Sequence, residues 1–356
     1  MPKESPCIKI PKTLAEKTLI LANKLGLADR KLEIQGILDA VHIPLIRYPS
    51  EEEAAKFRAE LPEFKIEAHA FPERKQRQKT IEENLKNQLP PQLLASVPRA
   101  LDVVGDIAII EVPPELKVYE KQIGETIMEK HRNVRTVLAK AGAISGTYRL
   151  REFTLIAGEQ KTNTIHKEFG CTFYVDVAKA YFSPRLSHEH ERVASSVQEN
   201  ETVVDLFAGV GPFSVLIAKR NKDVKVYAVD INSKAIDLLK RNIRVNRVEN
   251  RVLPMLGDAR QVVEKKLVGV ADRVIMNLPE NATEFVEVAC KATSSAGGIV
   301  HFYGFVHAPD TLENMKLRFS EAVDKAGRKV ERFLFAKTIR ETAPYQWQFV
   351  LDAKIV

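Results

Sequence analysis

The feature that most restricts the fold is a strand, a glycine turn and a helix in direct succession, in VVDLFAGVGPFSVLIAKR, residues 203–220. The apolar run predicts a buried strand, and Gly209 and Gly211 supply backbone angles that other residues rarely adopt. The helix that follows has free N–H groups in its first turn, where a ligand can approach the main chain. A GxG turn alone does not tell which ligand is bound, because dinucleotide-binding sites use a similar turn.

The rest of the C-terminal half repeats this alternation of apolar runs and helical patterns. Apolar runs occur in VKVYAVDI, NRVLPMLGDA, ADRVIMNLP, GGIVHFYGF, KVERFLFAKTIR and WQFVLDAKIV, and helical patterns such as NSKAIDLLKRNIRVN separate them. Strands that alternate with helices form parallel sheets with helices on both faces. We therefore predict a doubly wound, largely parallel sheet over residues 193–356 that ends in antiparallel strands.

Acidic residues stand at the ends of the first three predicted strands. Asp205 ends the first strand, Asp230 ends the second and Asp258 follows the third. At the carboxyl ends of parallel strands, Asp230 could hydrogen-bond a ribose diol and Asp258 could read an adenine amino group. Each acid has a simpler alternative role as a helix N-cap. Because the turn lacks the third glycine of the dinucleotide fingerprint, the ensemble resembles the class I methyltransferases that use S-adenosylmethionine.

The tetrapeptide NLPE, residues 277–280, follows the fourth predicted strand. Many amino-directed methyltransferases have Asn-Pro-Pro-aromatic at this position, so this chain keeps the amide of Asn277 and the ring of Pro279 but lacks the aromatic residue. That departure favours methylation of a ring nitrogen. A guanine N1 carries a proton at neutral pH, so its methylation needs a general base and a cation or N–H donor near O6. A carboxylate and an arginine should therefore lie near this domain.

The segment KHRNVRTVLAKAGAISGTYRLR, residues 130–151, is basic and contains no acid. The whole chain has a net charge of +7, which is compatible with a nucleic-acid partner but is also common in proteins without one. The segment is either a solvated helix face followed by a loop or a surface that contacts phosphates. The candidate RNA contacts are Lys130, Arg132, Arg135, Lys140, Arg151 and Arg185.

The sequence contains neither a predicted membrane span nor a metal-binding motif. No apolar run approaches the roughly 18 residues of a membrane span, and the amino terminus lacks the apolar core of a secretory signal. The expected location is the cytoplasm. The three cysteines are far apart, and HEH at 188–190 has no second pair of ligands beside it. We therefore predict no metal site.

Two smaller α+β modules are predicted before the doubly wound sheet. Residues 1–68 combine a helical pattern in LAEKTLILANKLGL with a strand in AVHIPLIRY, and residues 69–92 are polar, proline-bounded and typical of a linker. Residues 93–192 combine a strand in VVGDIAIIEVP, a helix over YEKQIGETIMEKH and further strands. The predicted fold class is α/β: a class I, Rossmann-like methyltransferase sheet preceded by two α+β domains.

Long motifs throughout the chain resemble the archaeal and eukaryotic tRNA guanine-37 N1-methyltransferases. They include IPKTLAEK and AVHIPLIR near the amino terminus, LPPQLLASVPRALDVVGDIAIIEVP and VRTVLAKAG in the middle, and TNTIHKEFG, VDVAKAYFSPRLS, VVDLFAGVGPFS, NLPENATEF and WQFVLDAKIV further on. The resemblance implies S-adenosylmethionine as cofactor and N1 of the guanosine beside the tRNA anticodon as target. That base would leave the anticodon loop, while the basic segment would contact the anticodon stem and the first module the outer corner of the tRNA. Such a chain is expected to act as a monomer.

The resemblance also implies roles for individual residues. Glu189 would be the general base at N1, and Arg149 the cation facing O6, with Arg151 as the less favoured choice. Asn277 would hold the base edge and Pro279 would shape the pocket. The expected cofactor contacts are Tyr181, Asp205, Phe207, Gly209, Gly211, Asp230, Asp258 and Asn277, and Tyr181 could instead contact the target ring.

The chain departs from the family pattern at two positions. His190 follows the expected base where many relatives have Arg, and Glu280 stands where Lys is frequent, so tRNA contacts at both positions stay open. Glu189 could also simply form an exposed pair with Arg185 or Arg192, worth at most about 1 kcal/mol.

Other assignments have alternatives as well. Arg149 could belong to a general basic surface, and Pro279 could terminate a strand. Two rival functions remain. One is a wyosine-pathway enzyme that transfers a methyl or aminocarboxypropyl group to a tricyclic guanine derivative, and the other is a noncatalytic tRNA-binding protein.

Overall fold

The computed structural model describes residues 2–74, 80–142, 146, 148 and 150–356. Arg149, the cation predicted to face O6, lies outside these residues. The chain divides into two compact units, residues 1–78 and 79–356. Among the helices of the described ranges, none combines the length and the apolar character that a membrane span requires.

The first unit is a four-stranded antiparallel sheet with two helices. Its elements are β1 (Lys3–Pro11), α1 (Ala15–Lys24), β2 (Gln35–Ile37), β3 (Ala40–Pro44), α2 (Glu51–Glu60) and β4 (Lys65–Phe71). The sheet order is β2-β3-β1-β4. Ser50 and Glu53 form a capping box at the start of α2, in which each side chain accepts a hydrogen bond from the other residue's main chain. The helix and strand predicted in this unit are α1 and β3.

The second unit begins with a four-stranded sheet of order β5-β6-β7-β8 and a separate hairpin of β9 and β10. The elements are α3 (Ile81–Leu85), β5 (Leu101–Val104), β6 (Ile107–Ile110), α4 (Glu120–Lys130), β7 (Thr136–Lys140), β8 (Phe153–Gly158), β9 (Asn163–Glu168) and β10 (Cys171–Asp176). The single strand predicted in VVGDIAIIEVP is two strands. Gly105, at φ 59°, turns the chain between them, and a Cβ there would lie 2.2 Å from Thr164 Oγ1.

A seven-stranded sheet of order β13-β12-β11-β14-β15-β17-β16 forms the rest of the second unit. The elements are α5 (Ser187–Ser196), β11 (Thr202–Asp205), α6 (Pro212–Arg220), β12 (Lys225–Asp230), α7 (Ser233–Asn246), β13 (Val252–Leu256), α8 (Ala259–Val262), β14 (Arg273–Met276), α9 (Val286–Ala292), β15 (Gly298–His307), α10 (Leu312–Lys325), β16 (Val330–Ala343) and β17 (Gln346–Ile355). Strands β11 to β15 are parallel, whereas β17 is antiparallel to β15 and β16. The predicted doubly wound sheet with antiparallel final strands is confirmed.

The central strands of this sheet, β11, β14, β15 and β17, are mostly buried on both faces, whereas the edge strands β13 and β16 are largely exposed or half-buried. Neighbouring residues of one strand alternate between two cores: Val203, Ile275 and Tyr303 belong to one cluster, and Val204, Met276 and Phe302 belong to the other. Helices cover both faces of the central part of the sheet, which explains why β11, β14 and β15 are mainly apolar rather than alternating between apolar and polar residues.

The β9–β10 hairpin is attached to the seven-stranded sheet through two buried asparagines of α7. Asn242 Oδ1 accepts a hydrogen bond from Tyr174 N at 2.7 Å, and Asn246 Oδ1 accepts one from Thr172 N at 2.9 Å. Their amide groups donate in turn to the main-chain oxygens of the same two β10 residues. These bonds fix the segment that leads from β10 to α5 beside the carboxyl ends of the strands.

Candidate active site

A cavity of about 390 Å³ lies at the carboxyl ends of β11 to β14, where the strand order reverses on either side of β11. Such a switch point is the usual ligand site of an open α/β sheet. Six of the predicted cofactor-contact residues line the cavity: Tyr181, Phe207, Gly209, Asp230, Asp258 and Asn277.

The glycine turn shapes one wall of this cavity. Gly209 has φ 55° and lines the cavity, whereas Gly211 has φ 90° and forms the N-cap of α6. A Cβ at Gly211 would lie 2.3 Å from Leu239 Cδ1. Gly211 is therefore required by the backbone angle and by the packing of α7, whereas Gly209 leaves the main chain open to a ligand.

Asp230 is fixed by two main-chain donors. Its Oδ2 accepts a hydrogen bond from Gly209 N at 2.7 Å and its Oδ1 accepts one from Asn232 N at 2.8 Å. Burial raises the pKa of Asp230, while these two bonds favour the ionised form. Each oxygen retains a lone pair, so the side chain can accept hydrogen bonds from a diol.

Asp258 and Asp205 differ in their relation to the cavity. Asp258 is the N-cap of α8, because Oδ1 accepts a hydrogen bond from Arg260 N at 2.8 Å, and it also lines the cavity. Asp205 is buried behind the turn, where Oδ2 accepts a hydrogen bond from Ser214 Oγ at 2.7 Å and burial raises the pKa to about 7. Asp205 therefore supports the turn from behind rather than facing the cavity.

Beside Asp258 lies an aromatic and cationic wall of the cavity, in which Phe207 was a predicted cofactor contact but Arg260 and Phe285 were not predicted. The guanidinium carbon of Arg260 lies 3.8 Å from the centroid of the Phe285 ring, and that ring meets Phe207 edge-on at 4.9 Å. Glu284 accepts a hydrogen bond from Arg260 Nη2 at 3.4 Å. Only the closeness of Arg260 to Asp258 in the chain could have indicated this wall, because Phe285 arrives from a distant segment.

The residues of the cavity fit S-adenosylmethionine. Asp230 offers a carboxylate to a ribose diol, and Asp258 lies near enough in the fold to read an adenine amino group. Ile231 lines the cavity with 40% of its surface exposed, and a purine ring would cover it. When bound, this cofactor supplies an electrophilic methyl carbon.

Asn277 directly follows β14 at the border of the cavity. Its Oδ1 is buried and accepts no hydrogen bond from the described residues. A buried acceptor without a partner costs about 1–3 kcal/mol, so this atom is suited to a donor supplied by a ligand. Pro279 is buried two residues further on, and Glu280 also lines the cavity.

Glu189 lies in the first turn of α5, and its neighbour His190 lines the cavity. Glu189 Oε2 accepts hydrogen bonds from Arg192 Nε at 3.0 Å, from Arg192 Nη2 at 2.8 Å and from the Tyr303 hydroxyl at 3.0 Å. The alternative pairing with Arg192 is therefore present, but the carboxylate is buried, so the energy of an exposed pair does not apply. Arg185 bonds Asp102 instead.

The position of Tyr303 brings Glu189 close to the strand that carries Asn277. Met276 of β14 pairs with Phe302 of β15 in parallel register. Asn277 follows Met276 directly, and Tyr303 follows Phe302 directly. The carboxylate of Glu189 is thus bonded to a residue adjacent to the strand end at which Asn277 stands.

His190 is buried, with only 1% of its surface exposed. Its Nδ1 lies 2.6 Å from Glu168 Oε1, and its ring meets Phe213 edge-on at 4.6 Å. Burial disfavours the charged form of Glu168, but the hydrogen bond with His190 and the nearby His166 ring, whose Nε2 lies 3.6 Å from Oε2, dominate and lower its pKa to about 2. At this position the chain has an interior imidazole that is hydrogen-bonded to Glu168 rather than a surface cation.

The six candidate RNA contacts differ in their environments. Lys140 bonds Glu111 at 3.1 Å and Arg185 bonds Asp102, while Lys130 and Arg151 are half-buried. Arg132 and Arg135 are exposed in the turn before β7 and form no ion pair within the described part of the chain. The segment is therefore not one solvated helix face, because residues 136–139 form a buried strand.

Known proteins match both the fold and the sequence. The TRM5/TYW2 methyltransferase domain matches residues 164–331, and the TYW2 N-terminal domain matches residues 81–162. Over 267 residues the chain is 46% identical to tRNA (guanine(37)-N(1))-methyltransferase Trm5b of Pyrococcus abyssi, which covers 75% of this chain and 78% of that protein. The crystal structure of that organism's Trm5b matches with a TM-score of 0.74 at 38% identity and covers 99% of both chains.

Two further relatives differ in how much of the chain they match. The structure of the complex of aTrm5 and tRNALeu matches with a TM-score of 0.69 at 31% identity, over 98% of this chain and 99% of that one. The tRNA(Phe) (4-demethylwyosine(37)-C(7)) aminocarboxypropyltransferase of Methanocaldococcus jannaschii is 34% identical over 251 residues, which are 70% of this chain and 96% of that protein.

Proposed function

Because this chain belongs to the TRM5/TYW2 methyltransferase family, we propose that it transfers a methyl group from S-adenosylmethionine to N1 of guanosine 37 in tRNA. The fold and the cofactor are those of a class I methyltransferase. Two observations support the finer proposal: Asn277 Oδ1 is an unoccupied buried acceptor of a residue that lines the cavity, and the buried carboxylate of Glu189, which does not itself line it, is bonded to Tyr303 on the neighbouring strand.

These two acceptors suit one edge of guanine. Guanine presents two neighbouring donors on that edge, N1–H and the N2 amino group. Asn277 Oδ1 is buried without a partner among the described residues, which supports an assignment to the N2 amino group. Glu189 is bonded to Tyr303 on the adjacent strand, which supports an assignment to N1–H. An adenine, which has no proton on N1, would offer nothing to the carboxylate.

In this mechanism the residues of the chain move one proton and hold the base. Glu189 accepts the N1 proton while the N1 electron pair attacks the methyl carbon, and the electrons of the carbon–sulfur bond stay on sulfur. Asn277 holds the base edge and Pro279 shapes the loop beside it. Arg149, outside the described residues, is proposed to stabilise the negative charge that develops on O6.

The wyosine-pathway alternative is less well supported. The aminocarboxypropyltransferase matches 70% of this chain, whereas the structures of Trm5b and aTrm5 match 99% and 98% of it. The additional match includes the first unit, residues 1–78. A match over the entire chain favours simple methyl transfer to guanine.

The modules are proposed to divide the recognition of tRNA. Residues 1–68 would contact the outer corner, and residues 69–92 would link this module to the next. Residues 93–192 would contact the anticodon stem and support the active site. Residues 193–356 would bind the cofactor. The complex of aTrm5 with tRNALeu, which matches nearly the entire chain, supports such binding. A chain that contacts the outer corner and the anticodon stem of one tRNA in this way would act as a monomer.

Nucleoside mass analysis of an unmodified tRNA transcript incubated with the protein and labelled S-adenosylmethionine tests the proposal. We expect one added methyl group at guanosine 37 and none in a matched transcript with adenosine 37. An aminocarboxypropyl adduct would favour the wyosine pathway. Binding of tRNA without any transfer, to guanosine or to a tricyclic derivative, would identify a noncatalytic binding protein.

A further inference from the structure

The guanidinium of Arg192 is shared between two carboxylates. Nε and Nη2 both donate to Oε2 of Glu189, at 3.0 and 2.8 Å. Nη1 donates to Oδ2 of Asp352, and Nη2 lies 3.3 Å from Oδ1 of Asp352. The guanidinium carbon also lies 4.3 Å from the centroid of the Phe335 ring. Contacts on three sides hold this side chain in one position.

All the hydrogen bonds that Glu189 accepts from the described residues fall on one oxygen. Oε2 accepts two from Arg192 and one from the Tyr303 hydroxyl, whereas Oε1 accepts none from this part of the chain. Arginine and a carboxylate frequently pair through two parallel bonds that engage both oxygens. Here Nε and Nη2 instead converge on Oε2, while Asp352 holds the guanidinium from its other edge through Nη1 and Nη2.

Asp352 is itself fixed by buried groups on the neighbouring strands. His301 Nδ1 lies 2.7 Å from Asp352 Oδ1, and His301 Nε2 lies 2.8 Å from Arg273 Nη1. Burial lowers the pKa of His301, so the neutral ring donates to Asp352 and accepts from Arg273. Arg273 also binds Glu201, at 2.7 and 3.0 Å. Asp352 therefore has little freedom to release Arg192.

We propose that Asp352 is a positioning residue for methyl transfer: by binding Nη1 and Nη2 of Arg192, it fixes the orientation in which the guanidinium donates only to Oε2 of Glu189, so that Oε1 can accept the proton from N1 of the target guanine. This inference rests on the proposed function. The proton moves from N1 to Oε1, the N1 electron pair forms the new bond to carbon, and the carbon–sulfur electrons stay on sulfur. Among the described residues, the charged or titratable groups that face Glu189 are Arg192 of its own helix and Tyr303 of β15, with Asp352 of β17 behind Arg192.

Asp352→Asn and Arg192→Gln should change the reaction in different ways. In Asp352→Asn the guanidinium is held less firmly and can turn so that it also binds Oε1. Its charge is no longer shared with a second carboxylate, so Glu189 becomes a weaker base. We expect the rate of methyl transfer to fall about tenfold or more and the acid limb of its pH profile to move to lower pH. In Arg192→Gln the positive charge is lost, so the acid limb should move about one unit to higher pH.

The measurement is the single-turnover rate of methyl transfer to a tRNA transcript between pH 5 and 9, together with cofactor affinity and thermal unfolding. Glu191→Gln is the matched control, because Glu191 lies on the same helix and bonds Arg220 instead. We expect its pH profile to be that of the unchanged protein. A merely structural role of Asp352 would lower stability without moving the acid limb.

Glu189→Gln separates the failure of this inference from the failure of the proposed mechanism. If Glu189→Gln is inactive while Asp352→Asn and Arg192→Gln keep the original rate and acid limb, Asp352 does not position the base and the proposed function stands. If Glu189→Gln retains the original rate, Glu189 is not the base and both assignments fail. Should Asp352→Asn not fold, Asp352→Glu replaces it: the charge is kept but the longer side chain displaces Arg192, so the rate should fall, and an unchanged rate and acid limb overturn the inference.

Discussion

Oδ2 of Asp230 lies 2.7 Å from the main-chain nitrogen of Gly209, so the acid at the end of β12 is bonded to the turn that follows β11. This bond joins the two features from which a nucleotide site was predicted. It also orients the carboxylate towards the cavity before any ligand binds. Preorganisation of this kind lowers the ordering that binding requires.

Asp230→Asn should weaken the binding of S-adenosylmethionine by about tenfold to a hundredfold, because hydrogen bonds to a charged acceptor contribute about 1.5–3 kcal/mol. Isothermal titration calorimetry with the purified protein measures the change. Asp237→Asn is the control, because Asp237 is exposed on α7 and does not line the cavity. Equal affinity of the two variants for S-adenosylmethionine would show that Asp230 does not bind the cofactor.

Gly211→Ala should destabilise the fold by about 3 kcal/mol, because the added Cβ meets Leu239 Cδ1 at 2.3 Å and the backbone angle is φ 90°. Gly269→Ala measures the effect of the backbone angle alone. Gly269 has φ 68° with nothing within 4 Å of an added Cβ, so we expect a loss of only about 1 kcal/mol. Urea unfolding of both variants measures the difference, and equal losses would show that the contact with Leu239 is relieved without cost.

Glu168 should contribute stability that depends on pH. Its pKa is about 2 in the folded chain against an ordinary value of 4.5, so the contribution is present above pH 4.5 and is lost as the pH falls towards 2. We expect Glu168→Gln to cost about 3 kcal/mol near pH 6 and progressively less towards pH 3. Denaturant unfolding at several pH values tests this, with the exposed Glu249→Gln as control. A cost that does not vary with pH would contradict the lowered pKa of Glu168.

Arg132 and Arg135 should contact tRNA phosphates. Both are exposed and carry no ion pair within the described residues, so each Ala variant should weaken tRNA binding and reduce the slope of log affinity against log salt by about 1. Fluorescence titration over a range of salt concentrations gives the slope. Lys222→Ala, an exposed cation in the loop before β12, should leave it unchanged. A slope that is the same in all three variants would show that the tRNA phosphates contact residues other than Arg132 and Arg135.

Asn277 should discriminate guanosine from inosine, which lacks the N2 amino group. We expect the unchanged protein to methylate a transcript with inosine 37 about ten to a hundred times more slowly than one with guanosine 37, because Asn277 Oδ1 then lacks its donor. In Asn277→Ala the two transcripts should react at similar, low rates. Discrimination that persists undiminished in Asn277→Ala would assign the N2 contact to another group.

The roles of the predicted site residues stay predictions, but their placement depends on two kinds of information. Gly209, Asp230, Asp258 and Asn277 were predicted to stand together because each follows a strand, and the carboxyl ends of parallel strands meet at one edge of a sheet. Asp205 also ends a strand, yet it faces Ser214 behind the turn. Sequence position alone does not tell which way such a side chain points.

The sequence by itself determined the family, the doubly wound sheet and the acids at its edge, because strand periodicity, the glycine turn and the chain order are local properties. Only the tertiary structure decided which partners the charged groups take: Arg192 binds Asp352 across 160 positions of the chain, and Lys140 binds Glu111 rather than remaining exposed. Such pairs depend on the order and register of strands that are distant in the chain. The environment of Glu189 is therefore a property of the sheet, in which β15 and β17 bring Tyr303 and Asp352 to the helix that carries it.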